Sequence, residues 1–129
     1  MMLLVSLALA APPAPAPELT PRQQEEIVVL GRKLETWRGT AHARKGRHEC
    51  KTSRSSGDPA VDRIACSAMV RCMSRAQPTV DRLLANRLSR KDRERLLQPV
   101  QAELKLCMQA AHQEGLRQLA RQEEALQSQ

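Results

Sequence analysis

Two short runs of soft side chains are the first candidates for chemistry in this chain. Met69 and Met73 stand four residues apart beside Cys72, and Met108 and His112 stand four apart beside Cys107. On helices each pair shares a face. Thioether and imidazole together suit copper, Cu(I) above all, so Met69, Met73, Met108 and His112 are a candidate copper set. The competing role for the methionines is packing, because the chain has one Trp and no Phe or Tyr, and Met fills irregular gaps well. His48, Glu49 and Cys50, with His42 nearby, form a weaker chelating group. Cys50 has an alternative use in a disulfide, and an oxidised cysteine offers no thiolate to a metal.

The stretch around them, "HARKGRHEC", is strongly basic. Between Arg38 and Arg54 lie Arg38, Arg44, Lys45, Arg47, Lys51 and Arg54 against a single acid, Glu49. That is a local excess of five within a chain whose net charge is +7. Such a patch attracts polyanions: nucleic acid, anionic lipid, cell-wall polymers or acidic proteins. It is also what a solvated corner that keeps a protein soluble looks like.

Catalytic patterns are wanting. Glu25 and Glu26 are adjacent and diverge by about 100° on a helix, so they make no acid/base pair. Ser53, Ser55 and Ser56 fall in a loop with no base in evidence. The sequence contains no Gly-rich phosphate loop, no H-E-x-x-H and no C-x-x-C. We expect a binding protein and not an enzyme.

The elements that position these residues begin after an apolar start. "MMLLVSLALA", residues 1–10, has the apolar run and small-x-small end of a cleaved signal peptide, although it carries no Lys or Arg. A short apolar tail is the competing reading. Residues 11–18 form an Ala/Pro linker, and residues 19–129 are expected to form one helical domain. Export and an even cysteine count agree. Export and the lack of aromatics for base stacking both point away from nucleic acid, and towards a protein or an anionic envelope component as partner. The expected location is periplasmic or secreted.

Helix signals run through the domain. Thr20 is a candidate N-cap, Pro21 suits the first helical position, and Gln23 completes a capping box. Ile27, Leu30, Leu34, Trp37 and Ala41 then form one apolar stripe, which carries the first helix towards Gly39. Asp58 and Pro59 start a second helix with the stripe Val61, Ala65, Ala68, Cys72 and Ala76, which Pro78 is expected to stop. A short third helix follows over 79–88. Ser89 caps another, kinked or restarted at Pro99, with Val100, Leu104, Cys107 and Ala111 on one side. Nothing alternates like a strand, so the expectation is an all-α bundle of three to five helices, stapled by disulfides.

The cysteines narrow their own pairing. Cys66 and Cys72 are six residues apart on one expected helix, roughly 9 Å along its axis. Bonded cysteines need Cα atoms within about 7 Å, so these two should not pair. We favour Cys50–Cys66 with Cys72–Cys107; Cys50–Cys72 with Cys66–Cys107 is the alternative.

"LTPRQ", Leu19 to Gln23, opening an amphipathic helix after an export signal, resembles the LTxxQ motif of the Spy/CpxP-like periplasmic proteins. "LSRKD", Leu88 to Asp92, stands as a degenerate second copy. The resemblance implies a small helical protein, often a cradle-shaped homodimer, with chaperone-like or metal-responsive activity. It also implies binding of partly unfolded or envelope proteins through a basic concave face. The four cysteines depart from that family's pattern.

Overall fold

A computed structural model describes residues 11–13 and 17–129 of the chain. The expected signal segment, residues 1–10, and part of the linker lie outside the described residues. In order, the elements are helix α1 (Pro21–Thr36), strands β1 (Arg38–Arg44) and β2 (Arg47–Arg54), and helices α2 (Pro59–Ala85) and α3 (Arg90–Gln127).

The helix starts form as their local chemistry dictates. Thr20 accepts from the Gln23 amide while the Gln23 side chain accepts from the Thr20 amide, closing the capping box ahead of Pro21. Asp58 caps α2 through the Ala60 amide at 3.0 Å. Ser89 caps α3 through the Asp92 amide at 3.2 Å. Both segments of the LTxxQ type thus serve as helix caps.

The all-α expectation is corrected by a β-hairpin. α1 stops at Thr36 because Trp37 turns extended, with φ −69° and ψ 141°, so Ala41 belongs to a strand and not to the α1 stripe. β1 and β2 pair antiparallel, with Arg44 opposite Arg47, His42 opposite Glu49, Ala41 opposite Cys50 and Thr40 opposite Lys51. Lys45 and Gly46 make the two-residue turn, both with positive φ, 51° and 75°. Two-residue hairpin loops favour that backbone because its twist matches the strands, and Gly46 adopts it without a Cβ penalty.

One further boundary differs from expectation, at Pro78, and of the two readings of Pro99 the fresh start is excluded. α2 runs on through Pro78 to Ala85, and α3 runs through Pro99 as a single helix of 38 residues. Each proline removes a helical donor. The two helices nevertheless pack antiparallel, with Ile64 beside Gly115 and Cys72 bonded to Cys107, and tertiary contact commonly outweighs the local penalty. The separate third helix over 79–88 is therefore absent.

The core lies where the three helices meet. Leu30, Val61, Leu116 and Ala120 are buried there, with Ile27, Leu34, Ile64 and Leu119 packed around them. Towards the α2–α3 turn, past Cys72 on one helix and before Leu116 on the other, no residue of either helix is fully buried. The disulfide Cys72–Cys107, with Cα atoms 5.8 Å apart, ties the two helices where that core gives out. The second bond, Cys50–Cys66, joins β2 to α2 with Cα atoms 5.4 Å apart. The favoured connectivity is the one formed, and it leaves no free cysteine. No helix of the described residues is long and apolar enough to cross a membrane. Two disulfides are compatible with an extracellular protein.

Candidate functional site: a basic hairpin seated on a helix

The hairpin has two chemically distinct faces. Side chains alternate across a strand, and here Gly39, Ala41, His48 and Cys50 are half-buried while their neighbours are exposed. The inner face is small and polar because it is pinned at fixed points. His48 stands 3.0 Å through Nε2 from Gln77 Oε1 and 3.1 Å through Nδ1 from Ser74 Oγ, both on α2. With Gln77 accepting, the ring donates at Nε2 and accepts the Ser74 hydroxyl at Nδ1. Two residues on, Cys50 is covalently bound to Cys66. After two more, Thr52 Oγ1 accepts from Trp37 Nε1 at 3.0 Å. Trp37 is only 8% exposed and seats the base of the hairpin against the helices.

The outer face carries the charge. Arg44 and Arg47 face each other across the strands beside the turn. His42 and Glu49 form the next rung, Thr40 and Lys51 the one after, and Arg38 meets Arg54 past a bulge at the base. All six predicted basic residues, Arg38, Arg44, Lys45, Arg47, Lys51 and Arg54, are exposed. Among the described residues none of the six is in an ion pair; the ion pairs are Lys33–Asp58, Arg90–Glu94 and Arg95–Asp92. Arg38 alone is partly engaged, donating through Nη1 to the Glu35 and Trp37 carbonyls at 2.7 Å each, where it closes the end of α1. Like charges directly opposite on one sheet face are destabilising. The Arg44/Arg47 rung carries that cost.

The sequence shows these cations as a local charge but not that Arg44, Arg47 and Lys51 share one strand face. The available signal was Arg44-Lys45-Gly46-Arg47, a glycine-containing turn flanked by alternating small and charged residues. Of the serines expected in a loop, Ser53 belongs to β2, and Ser55 and Ser56 are tied to α2. Asp62 accepts from Ser55 and Ser56 side chains and from the Ser56 amide, and these bonds hold its carboxyl below the usual carboxylate range.

The soft-ligand set is divided between the long helices. Met69 and Met73 on α2 and Met108 and His112 on α3 are all half-buried. His112 Nε2 is buried with no hydrogen-bond partner, and burial lowers the ring's pKa from its ordinary 6.5. His112 borders a groove together with Leu34, Trp37, Gln109 and Gln113, and no methionine lines that groove. At the other end of α1, hydrogen bonding to the neighbouring Glu26 carboxyl, then burial and charge repulsion, raise the Glu123 carboxyl above its ordinary 4.5. No protein-family model, curated protein or solved structure matches this chain.

Proposed function

We propose that this is an exported, disulfide-stapled binding protein that engages an anionic partner through the outer face of its hairpin and catalyses no reaction. The observation that supports the reading is the geometry of that face. Six exposed cations lie along a two-stranded ribbon and its turn, and the inner side of the ribbon is fixed to α2 by a disulfide and by His48. A rigid base and long exposed cationic side chains suit capture of charge at the surface. The groups whose titration is perturbed each have a local structural cause: loop hydrogen bonds for Asp62, carboxyl pairing for Glu123 and burial for His112.

The test is elution of the oxidised protein from a sulfated polysaccharide matrix along a salt gradient. Wild type should be retained, and R44E/K45E/R47E should elute early. Equal elution of the two would remove the hairpin from the reading.

A second reading, soft-metal binding, is favoured by one observation, the unpartnered Nε2 of His112 beside Met108. Titration with Cu(I) against a competing chelator, comparing wild type with Met69→Leu/Met108→Leu, decides it. A copper site of this kind requires weaker binding in the variant.

A further inference from the structure

Resting on the reading of the hairpin as an anion-binding surface, we infer that its partner is a phosphate-bearing lipid surface. The outer face presents its cations on one side of a sheet, with α2 behind it. The Arg44/Arg47 pair and the Arg38/Arg54 pair stand six positions apart along β1, about 20 Å of extended chain. Between them the outer face carries the rungs Thr40/Lys51 and His42/Glu49. That stretch offers no aromatic ring to stack on a base. The space bordered by Arg44, Lys45, Arg47 and Glu49 contains no apolar lining residue with which to grip a small molecule.

Such a surface recognises charge spread over a plane. An anionic bilayer supplies phosphates at high density, and they move laterally. The two arginine pairs therefore need no fixed spacing in their partner. Guanidinium groups bind phosphate through paired N–H donors, and four of the six cations are arginines. A phosphate between Arg44 and Arg47 would also relieve the repulsion across that rung. Attraction of this kind grows with each cation near the surface and fades within a Debye length, about 8 Å at physiological ionic strength.

Co-sedimentation of the oxidised full chain with lipid vesicles tests the assignment. Phosphatidylcholine vesicles should leave the protein in solution, and vesicles mixed with phosphatidylglycerol should carry it down. R44E/K45E/R47E should bind the mixed vesicles on the order of 100-fold more weakly, and R44Q/K45Q/R47Q should lie between it and wild type. R90E/K91E/R93E makes the same change in net charge on α3 and should retain most of the binding. Far-UV circular dichroism and a free-thiol assay establish that each variant is folded. Equal loss in the α3 variant would overturn the hairpin as the contact. Failure to bind mixed vesicles, with hairpin-dependent retention on sulfated polysaccharide or duplex DNA, would overturn the lipid assignment and leave the anion-binding reading standing. Failure on every polyanion would overturn both.

Discussion

The indole of Trp37 lies against Gly39 so closely that a Cβ at position 39 would stand 2.3 Å from Trp37 Cζ2. The contact joins the end of α1 to the first strand, and through the Trp37–Thr52 hydrogen bond it reaches the second strand as well. Gly39→Ala should therefore unseat the indole or distort β1, at a cost of about 1–3 kcal/mol. Chemical denaturation followed by Trp37 fluorescence measures it. A variant with wild-type stability and an unshifted emission maximum would contradict this packing.

The two disulfides should differ in what their loss does. Cys72–Cys107 closes a loop with sequence separation 35, and Cys50–Cys66 one with separation 16. The chain-entropy estimate gives about 4 and about 3 kcal/mol respectively. Cys72→Ala/Cys107→Ala should lower the melting temperature more and loosen the α2–α3 pair. Cys50→Ala/Cys66→Ala should leave the helices folded while the hairpin becomes open to proteolysis after Arg44, Lys45 and Arg47. Trypsin digestion with mass spectrometry separates the two outcomes; the reverse order of stabilities would argue against the loop-length account.

Protonation of His112 should weaken the fold. Its folded pKa lies below the ordinary value of 6.5 because burial disfavours the charged ring. The neutral ring's contribution is thus fully present above about 6.5 and is lost as pH falls through the folded value. Melting temperatures measured between neutral and mildly acidic pH should fall less in His112→Gln than in wild type. Parallel curves would mean that the ring titrates equally in both states.

Glu123 should act in the opposite sense. Its carboxyl is raised above 4.5 chiefly by the hydrogen bond with Glu26. The shared proton supports the α1–α3 contact below 4.5, and that support disappears as pH rises through the folded value. Glu123→Gln keeps an amide donor for Glu26 and should be at least as stable as wild type at neutral pH, with a flatter response to acid. Because His112 pulls the other way, each effect is best read in the background lacking the other. A marked loss of stability at neutral pH in Glu123→Gln would exclude the strained carboxyl pair.

Much of the helical frame was legible in the residues because its causes are local. Thr20 with Gln23, Asp58 with Pro59, and Ser89 each satisfy orphan amides within one turn, and those starts appear where such residues stand. The exclusion of a Cys66–Cys72 bond followed from helix rise alone.

The hairpin was not legible in the same way. Its inner positions, Gly39, Ala41, His48 and Cys50, carry no alternating apolar signal, because they meet Trp37, Ser74, Gln77 and Cys66 and not an oily core. Pro78 reads as a helix end and Pro99 as a kink or a fresh start from local sterics, yet both lie inside helices that pack against each other. The six cations were plain in the sequence as a charge. That Arg44, Arg47 and Lys51 share one exposed face follows from strand pairing, a non-local interaction that no neighbouring residue encodes. By itself, then, the sequence determined helix starts, composition, charge and the narrowing of cysteine pairing, all matters of covalent identity and single-turn hydrogen bonding. Tertiary structure decided which segments extend, which prolines are tolerated and where the charge points, because those outcomes depend on contacts between residues far apart in the chain.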